Sequence, residues 1–287
     1  MDLLKAASVE QALDFLEAHP GARILAGGTD LVIELRKKKA HPAALLDISS
    51  VEELKTVTEE NGRWRLGAAL TYGELLEAAL PEGLSGLKQA ARQVGSPQIR
   101  NTATIGGNVC NSSPAADIVP PFLALDARLR LASRQSGQTV ERVVPLSGFF
   151  TGKGHNCLLP GELLREIEFG PVAPGAELVF EKLGLREALA ISRICLAVYA
   201  EPAGDGLGKV RIASGSLGET GQREPETEDV LTNQLLDDEH IARAQTALSE
   251  ACARRLAGRS TLPFKREAVM GLLGHALRTL NSRRDNQ

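Results

Sequence analysis

Ile24-Leu25-Ala26-Gly27-Gly28-Thr29-Asp30-Leu31 is the stretch from which the fold can be read. It joins the end of a short apolar strand, begun at Arg23, to a helix predicted over residues 31–37. Paired glycines let a backbone come close to a ligand and turn its N–H groups inward. Thr29 adds a hydroxyl donor, and the helix that follows offers its positive end. Physically this is a phosphate cradle. Gly-Gly before a helix is also a plain turn, and the residues alone leave both readings standing.

Further on, Gln98-Ile99-Arg100-Asn101-Thr102-Ala103-Thr104-Ile105-Gly106-Gly107-Asn108 again sets Gly-Gly beside hydroxyl and amide side chains. It lies in a Gly-, Asn- and Ser-rich stretch from Gly95 to Pro114 that reads as a second loop. Asp117 follows in Ser113-Pro114-Ala115-Ala116-Asp117. Two glycine cradles suit a ligand with two phosphates and two polar ends, which describes a dinucleotide. Neither G-x-G-x-x-G nor a Walker loop is present, and no lysine is placed for a γ-phosphate. A Rossmann or nucleotide-hydrolase fold is therefore disfavoured.

The flanking pattern is mixed. Ser8-Val9-Glu10-Gln11 is a capping box, with Val9, Ala12, Leu13 and Leu16 at helical spacing and His19-Pro20-Gly21 as the stop. A strand over 44–48 completes an opening α/β unit. Asn61-Gly62 makes a hairpin in which Trp64 and Leu66 alternate with Arg63 and Arg65. Thr71-Tyr72-Gly73-Glu74 starts a capped helix, 84–94 is helical in pattern, and strands follow over 128–132, 140–145 and 163–169. Pro171-Val172-Ala173-Pro174-Gly175 reads as a linker. Beyond it come strands over 177–183, 190–200 and 209–217, then helices over 238–256 and 263–282, the order of a separate α+β domain.

Composition narrows the function classes. Only 3% of residues are aromatic against 43% hydrophobic, so the core is aliphatic. A net charge of −3 argues against a nucleic-acid binder, and Arg36-Lys37-Lys38-Lys39 reads as a solvated helix end. Cys110, Cys157, Cys195 and Cys252 lie far apart, which indicates neither a zinc site nor an iron–sulfur cluster and leaves no metal site expected. With no leader or spanning stretch visible, a cytoplasmic protein without a membrane partner is expected.

The pair Ala26–Leu31 and Thr104–Asn108, with Gly95-Ser96-Pro97-Gln98-Ile99-Arg100-Asn101 before the second, resembles the FAD-binding (medium) subunit of the xanthine dehydrogenase / carbon monoxide dehydrogenase molybdenum hydroxylase family. The likeness spans nearly the whole chain, with Gly161-Glu162-Leu163-Leu164 and Glu181-Lys182-Leu183-Gly184 in matching order. The resemblance implies an α+β fold. A two-part FAD-binding domain of the vanillyl-alcohol-oxidase-like (PCMH) type would cover 1–170, with lobes 1–55 and 56–170. A small α+β C-terminal domain would cover 176–287.

Carried over residue by residue, the resemblance wraps Ile24, Leu25, Ala26, Gly27, Gly28, Thr29, Asp30 and Leu31 around the FAD pyrophosphate. It puts Thr104, Ile105, Gly106, Gly107 and Asn108 in the second loop, with Val94 against the cofactor just ahead of it. Asp117 would accept from the adenosine ribose, and Leu164, or Arg165 one residue on, would lie near the flavin. Lys182 would sit by the isoalloxazine and tune it, and Ile191 would cover the ring's face. Read without the family, Val94 and Leu164 are core residues, Asp117 is as readily a helix cap before Pro120-Pro121 as a ligand, and Lys182 is a solvated edge residue of a strand.

No acid–base residue, nucleophile or triad is indicated, since the flavin carries the redox chemistry. The implied partners are a large subunit with the molybdenum cofactor (molybdopterin) and a small subunit with [2Fe-2S] clusters, in a heterotrimer. Electrons would leave to an external acceptor such as NAD; oxygen, a quinone or a ferredoxin stay open. Some relatives bind a [4Fe-4S] cluster on an inserted cysteine-rich segment. Here only Cys110 stands between Asn108 and Asp117, so none is expected. Two other readings remain: a self-standing flavin oxidase or reductase of the same fold superfamily, and a non-enzymatic nucleotide-binding scaffold.

Overall fold

The computed structural model describes residues 2–284. The first lobe runs β1 (Asp2–Lys5), α1 (Val9–Ala18), β2 (Arg23–Leu25), α2 (Leu31–Arg36) and β3 (Ala44–Asp47), with a parallel sheet in the order β1-β3-β2. Ser8 caps α1 by accepting from the Gln11 N–H at 3.2 Å. Val9, Ala12, Leu13 and Leu16 form its buried face, as a 3.6-residue period requires. Periodicity does not reveal β1, a short strand with a charge at each end. Parallel pairing from Asp2–Ala44 to Lys5–Asp47 makes it a strand by satisfying its backbone.

The second lobe begins with β4 (Val57–Glu60) and β5 (Arg63–Gly67). Asn61 (φ 53°) and Gly62 (φ 78°) join them in the left-handed conformation that two-residue hairpin turns need. Helices α3 (Tyr72–Glu77), α4 (Ser85–Arg92), α5 (Pro97–Arg100), α6 (Ile105–Asn111) and α7 (Val119–Ala124) follow. Then come β6 (Arg128–Gln135), β7 (Gln138–Pro145), the ribbon of β8 (Phe150–Gly152) and β9 (His155–Asn156), and β10 (Leu163–Phe169). The five-stranded sheet has the order β4-β5-β10-β6-β7, so the strand latest in sequence lies at its centre.

A bulge between Leu164 and Glu166 resets the alternation of β10. Leu164, Ile167 and Phe169 can then all face the central core. On the opposite face Arg130 holds Glu166 at 2.8 Å, Glu168 at 3.0 Å and Glu141 at 3.2 Å, which pairs the buried Glu168 carboxylate.

The C-terminal part has a sheet of β11 (Glu177–Leu183), β12 (Ile194–Ala203), β13 (Gly206–Gly215) and β14 (Gln222–Arg223), with α8 (Pro225–Leu231), α9 (Asp238–Arg255) and α10 (Leu262–Arg284). β12 is buried on both faces, which is why it reads as an unbroken apolar run. Cys195, Ala197 and Tyr199 point into the central core, while Ile194, Leu196 and Val198 pack with Leu248, Leu273 and Leu277 of α9 and α10. Arg283 clasps this part to the second lobe through Ser85 at 2.8 Å and Glu177 at 3.2 Å.

Candidate cofactor site

The fold brings the two glycine motifs into contact. A Cβ on Gly27 would fall 1.8 Å from the carbonyl oxygen of Thr102, so only glycine lets the first motif lie against the start of the second. Ile24 and Leu25 anchor it through their pairing with Leu46 and Asp47, and buried Leu31 fixes α2. Gly28 turns the chain at φ 70°. The backbone N–H groups of Gly27, Gly28 and Thr29 donate to no other described residue.

The second motif differs from its sequence reading. Residues 97–111 are largely helical rather than loop, and Thr104 is the N-cap of α6, accepting from the Gly107 N–H at 3.0 Å. Ile105 N–H donates to Leu70 at 3.0 Å, Gly106 N–H to Ala68 at 2.9 Å and Asn108 N–H to Thr104 at 3.1 Å. These backbone donors are committed to protein. What the motif offers a ligand is a surface without a side chain at exposed Gly107 and the carboxamide of Asn108. Thr104→Ala should lower stability by about 1 kcal/mol and the melting temperature by roughly 2 °C, measured by scanning calorimetry. An unchanged melting temperature would mean that the cap contributes nothing.

Two buried polar atoms beside the motifs have no partner: Oδ1 of Asn108 and the hydroxyl of Tyr72. Such orphans are rare in folded proteins. With the free N–H groups of residues 27–29 they match the oxygens and hydroxyls of a dinucleotide, so the residues present fit FAD.

The remaining residues fall into two groups. Val94 is half-buried against the central core, and its carbonyl and that of Gly95 accept from Arg100 at 3.1 and 2.9 Å. Leu164 is 3% exposed within that core, while Arg165 turns outward to Glu141. Asp117 does not cap α7; its Oδ2 accepts from Lys182 Nζ at 2.6 Å and its Oδ1 from the Ser192 hydroxyl. Burial raises the Asp117 carboxyl above its usual range, against the opposing pull of Lys182.

Lys182 is itself buried and also donates to the Gln93 carbonyl at 3.1 Å, so it is no solvated edge residue. It borders an open cleft of about 570 Å³ lined by Arg92, Gln93, Gly95, Arg100 and residues 183–190, so the cleft reaches the stretch that leads into the second glycine motif. Ile191 is 80% exposed at the end of that loop. Sequence reasoning missed Ser192 and Tyr72. Tyr72 stands in the sequence only as part of a helix cap, and Ser192 reaches Asp117 only through tertiary structure.

The family model "FAD binding domain in molybdopterin dehydrogenase" matches residues 1–171, and "CO dehydrogenase flavoprotein C-terminal domain" matches 180–280. The chain belongs to the FAD-binding subunits of the xanthine and carbon monoxide dehydrogenase type of molybdenum hydroxylase.

Among individual proteins, it is 32% identical to the putative xanthine dehydrogenase FAD-binding subunit XdhB of Escherichia coli, over 94% of this chain and 90% of that one. It is 28% identical to a xanthine dehydrogenase of Drosophila subobscura, over 96% of this chain but 22% of that one. The solved carbon monoxide dehydrogenase of Hydrogenophaga pseudoflava superposes with a TM-score of 0.89 at 26% identity, covering 99% of this chain and 98% of that one.

Proposed function

We propose that this chain passes electrons between the [2Fe-2S] clusters of a small partner subunit and an external acceptor such as NAD. A large partner with the molybdenum cofactor would oxidise the substrate, in a cytoplasmic heterotrimer. FAD, when bound, supplies the ability to exchange one or two electrons. The carrying observation is the contact of the two glycine motifs, with unpaired donors on one and an unpaired carboxamide oxygen on the other.

In this reading residues 24–31 hold the diphosphate, and Thr104–Asn108 give it a surface for close approach. Asp117 offers its remaining lone pairs to the adenosine ribose. Val94 and Leu164 wall the flavin, and Lys182, fixed by Asp117, orients its ring. Residues 1–170 form the FAD-binding domain, in lobes 1–55 and 56–170, and 176–287 the C-terminal one. Lodging of the matching region within a much longer chain in the Drosophila relative supports a role beside partners. Among the described residues no helix is long and apolar enough to cross a membrane.

The test is co-expression with a large molybdenum subunit and a small two-cluster subunit. The three should copurify, and the bound flavin should bleach when the substrate of the large subunit is added. Bleaching of the isolated, flavin-loaded chain by an organic substrate would instead favour a self-standing oxidase.

A further inference from the structure

Tyr72, the first residue of α3, is 0% exposed in the central core, yet its hydroxyl has no hydrogen-bond partner. Leaving a buried hydroxyl unpaired costs free energy that a phenylalanine of the same shape would avoid. The backbone that carries the ring is closely determined. Tyr72 N–H donates to the Ala103 carbonyl at 3.1 Å, and Thr71 bridges to Thr104, the cap of α6. The capping box of Thr71 and Glu74, at 3.1 Å and 2.8 Å, holds the same turn from the other side.

Tyr72 is thus rooted beside the second glycine motif, whose helix carries the unpaired atom of Asn108. It also feels the carboxylates of Asp117 and of Asp30, the latter in the first motif. Burial first, then Asp117, then Asp30, hold the phenol well above its ordinary range. It therefore remains protonated, a standing donor, within electrostatic reach of both sides of the site but bonded to neither.

The geometry points to Tyr72 as a further FAD-contacting residue: we propose that its hydroxyl donates to an oxygen of the diphosphate–ribityl chain where this passes between the two glycine motifs. This rests on the reading of those motifs as the FAD site. The requirement it places on the sequence is a hydroxyl on a ring that is otherwise plain core.

Tyr72→Phe removes the hydroxyl and nothing else. The full-length wild type and variant, each stripped of flavin, are titrated with FAD by the change in flavin fluorescence, and both apo-proteins are melted. The apo variant should melt no lower than the wild type, because no bond within the protein is lost. Its Kd for FAD should rise about tenfold, and the gain in melting temperature on adding FAD should shrink. Equal FAD affinity in the two proteins would overturn the assignment. So would an apo variant that melts lower with its affinity unchanged, since the hydroxyl would then have a protein partner. A wild type that binds no FAD would overturn the underlying reading of the glycine motifs as well, and is recognised by the missing titration in both proteins.

Discussion

Gly107→Asp should abolish FAD binding while leaving the fold in place. Gly107 lies in the first turn of α6, exposed, and a Cβ there would meet only the Thr104 hydroxyl, at 2.8 Å. A small rotation of the cap makes room, and an acidic side chain in a first helical turn is favourable to the helix. The new carboxylate would occupy the surface left bare for close approach, where it excludes and repels a diphosphate. The Kd should rise by more than about a hundredfold, or roughly 3 kcal/mol. Flavin retention through gel filtration reads the loss, and an unchanged circular dichroism spectrum reads the fold. Gly106→Ala is a contrasting variant: its Cβ would lie 2.5 Å from the Ala68 carbonyl oxygen, so it should damage folding first. A Gly107→Asp chain that kept its flavin would remove the start of α6 from the site.

Lys182→Met should cost about 3 kcal/mol or more of stability near neutral pH, because it strands a buried carboxylate. The Lys182 and Asp117 side chains are only 6% and 8% exposed, and the variant leaves Asp117 with the Ser192 hydroxyl and the Cys195 thiol, neither of them charged, as its surviving partners. Burial already raises the Asp117 carboxyl, and losing the cation raises it further. A carboxyl whose folded pKa lies above its unfolded value contributes stability that is full below the unfolded pKa and fades as pH rises through the folded one. The deficit of the variant should therefore shrink on acidification. Urea unfolding of both proteins at about pH 5 and about pH 8 measures it. The same deficit at both values would mean that Asp117 is not its source. Adding Asp117→Asn to Lys182→Met should recover much of the loss.

How far the sequence could be read depended on whether the signal was local. The first glycine motif between strand and helix, the Asn61-Gly62 turn and the cap at Ser8 all act within a few residues, and the structure has each. α6 was hidden because Ile-Gly-Gly-Asn has little intrinsic helix propensity. Its helix comes from the Thr104 cap and from backbone bonds to Leu70 and Ala68, formed by a distant segment. β12 starts at Ile194 and not near 190, because residues 184–193 leave the sheet as a loop that apolar content alone made strand-like. Within the candidate site, Gly27 stood out in the sequence because its close approach to Thr102 admits no side chain. The Asp117–Lys182–Ser192 cluster and the orphan hydroxyl of Tyr72 were not, since chain topology alone brings them together.

The place of β10 at the centre of the five-stranded sheet carries a consequence for synthesis. The chain leaves the ribosome from its N-terminus, so the β4–β5 and β6–β7 pairs emerge before the strand that unites them. Isolated hairpins are marginal in water, and until β10 arrives each presents an open edge. Ala68, which anchors the start of α6, itself donates to the Arg165 carbonyl at 3.0 Å within that late strand. Translation must therefore pass Phe169 before the second glycine motif has its support. Nascent chains stalled earlier are the form most exposed to aggregation, and flavin loading belongs to the period after the whole lobe has been made.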